Sequence, residues 1–382
     1  MIPPQQQRRR WPLARVVLLV IGVVAIFVAT YVIVGHNWGS PGSAAACETG
    51  EPMVTARGII GSEKEQYFAD PRVVQRLACA GLTVSTDSRG SREMLDALRR
   101  PGNGYDFAFP SSTATADKIS SDLHVPDRIP LFSSPMAVAT FKPIVDVLTR
   151  AGMIQTAADG SQVLDIAALL DAARKGVTWN QLPGNTEYPV RKTVLLSTTD
   201  PQDSNSAIMY LSIASQVSNH DAVVTTPEQV QAVLPDLCRL VFDQGTKPET
   251  SQVLFNSYLV DGMGRIPMAL IYEAQYITHA PGQQPALPPD SVLLFPRPTV
   301  YSRHTLIPLT DAGRRVGEAL RDDPELVRLA AEHGFRPEHP TTDTVSTRKP
   351  PLDVVEPPSF EALETMLDAL EPTPENARRC AK

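Results

Sequence analysis

The chain has 382 residues, of which 42% are hydrophobic and 20% are charged, a composition typical of globular proteins. Its formal net charge of −7 gives no electrostatic support for binding nucleic acid, and we expect no nucleic-acid partner. The four cysteines show no CxxC or Cys/His spacing of the kind that indicates a zinc site, and we expect no bound metal or cofactor.

An uninterrupted apolar run from Val16 to Val34 dominates the N-terminal part of the chain. As a helix it would span roughly 28 Å, close to the hydrocarbon thickness of a bilayer. Four arginines precede the run and no Lys or Arg follows until Arg57, so the positive-inside rule places residues 1–15 in the cytoplasm and the main domain outside the cell membrane. A cleaved signal peptide is the alternative, but its apolar region is usually only about 7–15 residues long. We therefore predict a transmembrane helix at 16–34, followed by a linker at 35–51.

Strands and helices alternate over the next part of the chain. The predicted strands Val54–Ile60, Leu82–Thr86 and Tyr105–Phe109 are separated by amphipathic helical segments, which predicts a parallel sheet with helices on both faces. A polar cluster follows each strand, at the place where open α/β sheets bind ligands and where helix N-termini favour anions. Single serines at such places are usually helix N-caps, but three successive clusters favour a binding rim. The clusters are Ser62/Lys64, Ser88/Arg89/Ser91 and Ser111/Ser112/Thr113.

The same order of strand, polar loop and helix returns in the second half. A buried strand is predicted at Lys192–Ser197, and a helix from Ala207 follows its polar loop. Another strand, Met268–Tyr276, would carry Tyr272 and Glu273. The chain is rich in proline between residues 337 and 358, which is typical of a linker, and a last amphipathic helix is predicted at Phe360–Leu370.

Four stretches together resemble the extracytoplasmic solute-binding proteins of ABC-type importers, in their two-lobed, double-crossover form. The stretches are MVTARGIIGSEKEQYFADPRV, LTVSTDSRGSREM, LLSTTDPQDSNSAIMYLS and FPRPTVYSRHTLIPL. The resemblance implies an α/β fold with two doubly wound lobes and a hinged cleft (periplasmic-binding-protein-like, type II), preceded here by the transmembrane helix. It also implies the domain organisation: lobe 1 at 52–130 and 290–336, lobe 2 at 131–289, and a Pro-rich tail with a short helix at 337–382.

The resemblance also implies a ligand set. In the oxyanion-binding members of that group, serine hydroxyls, loop N–H groups and sometimes an arginine hold the ligand. The matching residues of this chain are Ser62, Ser88, Arg89, Ser91, Ser111, Ser112, Ser204, Asn205 and Ser206. Tyr272 and Glu273 lie on a late strand that usually faces the cleft. A glutamate there disfavours an anion and favours an amine or a sugar hydroxyl, so the charge of the solute stays open.

Four cysteines in an exported domain indicate two disulfides, for which three connectivities exist. Cys47 and Cys79 each precede one of two adjacent parallel strands, which start at the same edge of a sheet. We therefore predict the pairs Cys47–Cys79 and Cys238–Cys380.

These patterns predict a membrane-anchored protein that captures a small polar solute, an oxyanion being one candidate, for an ABC permease or as a sensor. A membrane-tethered interaction module with an empty cleft would share every fold feature. A hydrolase is disfavoured, because no Gly-x-Ser-x-Gly elbow is present and no histidine lies in the strand-end loops. Asp200, Asp203 and Asn205 could ligate a cation, but the closing Glu of a calcium loop is absent, which favours helix capping.

Overall fold

The structure is a computed structural model of the chain, and it describes residues 52–157, 160–245, 247–279, 286–344, 353–371 and 373–380. The predicted anchor at Val16–Val34, the linker after it and Cys47 lie outside these ranges. Within them, no helix combines the length and the apolar character needed to cross a bilayer. The account below concerns the described residues.

The described residues form ten strands, fourteen α-helices and three short 3-10 helices. The strands are β1 (Val54–Ile60), β2 (Leu82–Ser88), β3 (Phe107–Phe109), β4 (Ile129–Phe141), β5 (Ile154–Thr156), β6 (Gln162–Asp165), β7 (Met268–Tyr272), β8 (Ser291–Arg297), β9 (Tyr301–Pro308) and β10 (Arg336–Pro337). The helices are α1 (Glu65–Ala69), α2 (Pro71–Cys79), α3 (Ser91–Arg99), α4 (Thr113–Leu123), α5 (Lys142–Arg150), α6 (Ile166–Arg174), α7 (Asn205–Ser218), α8 (Pro227–Phe242), α9 (Ser251–Asp261), α10 (Glu273–Ile277), α11 (Asp311–Asp322), α12 (Pro324–Glu332), α13 (Phe360–Ala369) and α14 (Pro374–Cys380).

The first part of the sheet belongs to lobe 1, defined here as the described residues 52–135 and 301–344. Strand β1 pairs in parallel with both β2 and β3, as the alternating pattern predicts. Strand β9 runs antiparallel to β3 and to the first half of β4. Helices α2, α11 and α12 cover one face of these strands, and α3 and α4 cover the other, so each face has its own apolar core.

Strand β4 continues into lobe 2, defined here as the described residues between 136 and 300. Its second half, from Met136 onward, pairs with β7 and with β8. Strand β8 pairs in turn with β6, and β6 with β5. The lobe 2 core surrounds α7, whose first twelve residues are all buried. A single long strand therefore carries the chain from one lobe to the other.

The return to lobe 1 comes later than the sequence predicts. The predicted boundary lies at residue 290, but β8 (Ser291–Arg297) still pairs with strands of lobe 2. Pairing with lobe 1 begins only at Tyr301, opposite Pro135. A short apolar strand can belong to either lobe on its sequence pattern alone, and only its hydrogen-bonding partners decide which.

The chain ends in a segment that contacts both lobes, here called the C-terminal strap (residues 353–371 and 373–380). Leu363, Met366 and Leu367 of α13 lie in the lobe 2 core, whereas Phe360 packs against the core formed by α3 and α4 of lobe 1. Cys238 of α8 is bonded to Cys380 of α14, which confirms this predicted disulfide. The predicted pair Cys47–Cys79 includes a residue outside the described ranges and stays a prediction.

Two predicted strands differ from the structure. The segment 192–197 forms isolated bridges instead of a strand, with Ser197 N donating to Met268 O (3.1 Å) and Ser197 O accepting from Leu270 N (2.8 Å). The apolar residues of this segment are buried. The apolar sequence pattern therefore indicated burial, but it did not indicate pairing within a strand. The predicted strand Met268–Tyr276 ends at Tyr272, where the backbone N–H donates to Gln275 Oε1 (3.1 Å), and Glu273 begins α10.

Candidate functional site

A buried polar cluster lies where β1, β3, β9, α7 and β7 come together. Its members are Glu63, Lys64, Ser111, Asn205, Tyr272, Ser302 and His304, here called the central cluster. Strand β1 ends at Ile60, and a 3-10 turn at Ser62–Lys64 follows it. Gly61 permits this turn to approach β3, because a Cβ at this position would lie 2.2 Å from Ser111 Oγ. A cluster of this kind needs internal partners for every polar group, since burial removes water.

Glu63 and Lys64 form a buried ion pair within the central cluster. The Lys64 side chain is 0% exposed, and its ammonium donates to Glu63 Oε1, to Ser111 Oγ (3.1 Å) and to His304 Nδ1 (3.0 Å). Ser111 Oγ also donates to Glu63 Oε1. Burial alone would raise the pKa of Glu63, but the charge and the hydrogen bond of Lys64 hold that pKa well below its usual value. Glu63 is therefore ionised.

His304 is neutral in this environment. Burial, and next the charge of Lys64, lower the pKa of His304 to about 4. Because Lys64 donates to Nδ1, the ring proton belongs on Nε2, which lies 3.3 Å from Ser302 Oγ. Ser302 Oγ in turn donates to the carbonyl oxygen of Ser111. Each donor in this series of hydrogen bonds therefore has an acceptor.

Asn205 connects this chain of hydrogen bonds to lobe 2. Its Nδ2 donates to the Ser111 carbonyl oxygen (3.1 Å) and to the Tyr272 hydroxyl (3.1 Å). Ser111 belongs to lobe 1, whereas Asn205 begins α7 and Tyr272 ends β7 in lobe 2. Burial raises the pKa of Tyr272 well above its ordinary value, so its hydroxyl stays protonated. At Asn205 and Tyr272 the two lobes thus meet through neutral hydrogen bonds.

A small cavity of about 20 Å³ lies beside the central cluster. This is room for about one water molecule. Six of the predicted ligand residues line it, from both lobes: Ser62, Arg89, Ser111, Ser204, Asn205 and Tyr272. Gly90 of lobe 1 closes against lobe 2, because a Cβ there would lie 1.7 Å from the carbonyl oxygen of Asp203. The structure therefore holds the lobes in a closed arrangement.

Four predicted ligand residues, Ser88, Ser112, Ser206 and Glu273, do not line this cavity. Ser112 is the N-cap of α4 and accepts a hydrogen bond from Thr115 N (3.2 Å), a common structural role for serine. Ser206 contacts Thr199 and Ser204 through its hydroxyl (2.8 and 3.0 Å). Ser88 ends β2, and Ser91 begins α3.

Glu273 also lies away from the cavity. Arg336 of β10 donates to both of its carboxylate oxygens, each at 2.9 Å. This buried pair links α10 to lobe 1. The predicted conflict between Glu273 and an anionic solute therefore does not arise at this residue, although Glu63 brings a carboxylate to the cavity instead.

Sequence reasoning missed several residues of the site. Glu63 stands inside the polar loop GSEK, but only its neighbours Ser62 and Lys64 were singled out there. Ser302 and His304 alternate along β9, and this period of two was the available signal that both face the same side. The remaining lining residues that were missed are Gly61, Glu63, Gly90, Met94, Glu249, Thr250 and Ser251.

The central cluster contains Ser302, His304 and Glu63 in the order of a hydrolase triad. His304 Nε2 lies 3.3 Å from Ser302 Oγ, and His304 Nδ1 lies 3.3 Å from Glu63 Oε1. Yet Ser302 is fully buried and donates its proton to a backbone carbonyl, and a histidine with a pKa near 4 is a weak general base at neutral pH. The arrangement is therefore structural. Among the described residues, no three His, Cys, Asp or Glu side chains are grouped so as to hold a metal ion.

A larger open groove of about 610 Å³ lies between α4, β9 and the strap. Its three cations are each paired with a carboxylate: Lys118 with Asp122, Arg128 with Asp117 and Arg303 with Glu356. The small cavity is the better candidate site, because predicted residues of both lobes meet there.

Two α/β lobes joined by β4 and by the passage from β8 to β9 define the fold of the type II periplasmic solute-binding proteins. Iron-bound HitA from Pseudomonas aeruginosa is similar with a TM-score of 0.52 and 13% identity, over 82% of this chain and 99% of that one. The periplasmic binding protein P5PA has a TM-score of 0.50 and 12% identity, over 83% and 98%. The sulfate-binding protein SubI from Mycobacterium tuberculosis reaches 0.49 and 14%, over 76% and 88%.

Neither a protein-family model nor a curated protein sequence matches the chain. At these identities the likeness to HitA and P5PA establishes the fold. The resemblance inferred from the sequence is confirmed at that level.

Proposed function

We propose that this chain is an extracytoplasmic solute-binding protein that captures a small polar solute between its lobes, for an ABC-type transporter or as a sensor. The single observation that carries the proposal is the cavity between Ser62, Arg89 and Ser111 of lobe 1 and Ser204, Asn205 and Tyr272 of lobe 2. Polar side chains that converge from two lobes on one cavity are typical of ligand sites in this fold.

Binding requires the lobes to separate. A cavity of about 20 Å³ does not admit a solute larger than water, and the contact of Gly90 with Asp203 closes one side of it. Hinged α/β lobes open and close by rotation about the strands that join them. The closed arrangement then corresponds to the state that a captured solute would stabilise.

We also propose that the domain is tethered to the membrane by Val16–Val34. The support is the sequence alone: an uncharged apolar run of bilayer length behind an arginine cluster. Alkaline extraction of membranes, followed by N-terminal sequencing of the mature chain, tests this proposal. Retention in the membrane fraction with an intact N-terminus is expected, whereas a chain that begins near Cys47 would contradict it.

Thermal unfolding of the purified full chain tests the binding function. Candidate solutes are added singly: sugars, polyols, amino acids, polyamines, sulfate, phosphate and molybdate. A solute present at 100 times its dissociation constant should add about 2.7 kcal/mol to the free energy of unfolding. At least one class should therefore raise the midpoint. A folded sample that responds to none of them contradicts the proposal.

A ligand-free interaction module on the same fold is the second candidate. The observation that favours it is the carboxylate of Glu63, which already accepts hydrogen bonds from Lys64 and Ser111. These donors are the kind that an anion in the cleft would use. The absence of any solute response in the thermal experiment would support this candidate.

A further inference from the structure

The amide of Asn205 has one oxygen that no protein group satisfies. Nδ2 must face the carbonyl oxygen of Ser111, because a carbonyl can only accept, and this fixes the orientation of the amide. Oδ1 is then a buried acceptor, and it has no hydrogen-bond partner within the described part of the chain. Asn205 is only 6% exposed, and it lines the small cavity. An unsatisfied buried acceptor of this kind calls for a donor from a bound molecule.

The second strong acceptor at the cavity is Glu63. The hydrogen bonds that it accepts from side chains of the described residues all go to Oε1, and the carboxylate lines the cavity. Its charge is cancelled by Lys64, which is buried beside it. The cavity therefore offers acceptors but no net charge. A bare oxyanion, which brings only acceptors, would lose its hydration and meet two further acceptors.

The remaining lining groups suit hydroxyls. Ser62, Ser204 and Ser251 contribute hydroxyls that can both donate and accept, as do Thr250 and Tyr272. At the rim, Arg89 and Glu249 are both exposed and carry opposite charges. Solvent screens such exposed charges, so the rim gives an anion little net attraction.

We propose that the cavity selects a neutral, polyhydroxylated solute, a polyol or a sugar, and discriminates against fully deprotonated oxyanions. One hydroxyl of the solute would donate to Asn205 Oδ1 and another to Glu63, while their oxygens accept from the serine and tyrosine hydroxyls. This selection rests on the proposed solute-binding function and adds the chemical class of the solute.

The first test compares three panels on the full chain by thermal unfolding and by calorimetric titration. The panels are polyols and sugars, then sulfate and molybdate, then amines and amino acids. Binding by a polyol or sugar, with none by sulfate or molybdate, is the expected result. Binding by an oxyanion or an amine alone overturns the selection but keeps the solute-binding function. Binding by no panel overturns the solute-binding function itself.

The second test identifies the acceptor. Asn205→Leu removes Oδ1 and should weaken binding of the best polyol or sugar about tenfold or more, because a hydrogen bond in a buried site is lost. Gln216→Leu is the matched control: Gln216 lies on the same helix, its Oε1 is also buried without a partner among the described residues, and it does not line the cavity. Binding should be unchanged in this control. Equal effects of the two substitutions would overturn the assignment.

A third measurement needs no variant, so it does not depend on whether Asn205→Leu folds. Deoxy analogues of the best ligand, each lacking one hydroxyl, are titrated against the wild-type chain. At least two positions should lose about tenfold in affinity, one for each acceptor. A uniform affinity across all deoxy analogues would contradict recognition through donated hydroxyl hydrogens.

Discussion

The ammonium nitrogen of Lys64 lies 3.0 Å from Nδ1 of His304, and both side chains are buried. With Glu63 these residues form a charged group that belongs wholly to lobe 1. Among the described residues, the hydrogen bonds of lobe 2 at the central cluster come from the neutral side chains of Asn205 and Tyr272. The lobes can therefore separate here without breaking an ion pair of the central cluster.

Removing the ammonium should destabilise lobe 1 strongly. Lys64→Met leaves the carboxylate of Glu63 buried without its counter-ion, and we expect a loss of about 3–5 kcal/mol in the free energy of unfolding, measured in urea. Adding Glu63→Gln should recover part of the loss, since the orphaned charge is then gone. Lys175→Met breaks an exposed pair with Asp171 and should cost less than about 0.5 kcal/mol. Similar losses at the two lysines would refute this account of the ion pair.

Stability should fall in acid because of His304. Burial, with the charge of Lys64, lowers its pKa from 6.5 to about 4, so between these values the unfolded chain binds more protons than the folded one. The contribution is fully present above pH 6.5 and is lost as the pH falls towards 4, by at most about 3 kcal/mol. The lowered pKa of Glu63 adds a further loss only below pH 4.5.

Urea unfolding between pH 4 and 7.5 measures this dependence. His304→Asn should flatten the curve between pH 6.5 and 4.5. An unchanged slope in His304→Asn would show that other groups cause the loss.

Gly90→Ala should shift the chain from the closed towards the open arrangement. The backbone at Gly90 has an ordinary φ of −67°, so alanine is not strained locally. Its Cβ would nevertheless collide with the carbonyl oxygen of Asp203 across the lobes. We expect a larger radius of gyration in small-angle scattering and weaker solute binding. Gly264→Ala meets no atom within 4 Å and serves as the control. A closed, wild-type profile for Gly90→Ala would contradict the prediction.

The disulfide between Cys238 and Cys380 should contribute substantially to stability. The bonded residues are 142 positions apart, and closing a loop of that length removes much conformational freedom from the unfolded chain. The double substitution Cys238→Ala with Cys380→Ala should lower the free energy of unfolding by about 2–5 kcal/mol. Urea unfolding under non-reducing conditions is the measurement. An unchanged midpoint would mean that the strap is held by packing alone.

The local sequence pattern predicted most strands and helices. It could not predict those features that depend on which distant segments pair with each other. The parallel pairing of β1 with β2 and β3 followed from alternation along the chain. The lobe of β8 did not, because its short apolar run fits either lobe. The serines at strand ends were identified together, yet the structure sorts Ser111 to the cavity and Ser112 to a helix cap. The two serines are adjacent in the sequence, and the sequence pattern does not show which of them faces the cavity.

The role of His304 was also beyond local pattern. Its contacts, Lys64 and Glu63, stand about 240 residues earlier in the chain. The pKa of a histidine in a strand depends on the charged groups that the fold places beside it. The long-range pairing of β9 with β3 and β4 brings those charges together.

The C-terminal strap contacts both lobes. Arg92 of α3 donates to Glu364 of α13 (3.0 Å), and Lys118 of α4 lies 5.8 Å from the ring centre of Phe360. The apolar side of α13 (Leu363, Met366, Leu367 and Ala369) is embedded in lobe 2. A rotation that opens the cavity must therefore break or remake these contacts. The position of the C-terminal helix pair is therefore coupled to the angle between the lobes, and the outer surface of the strap differs between the open and the closed arrangement.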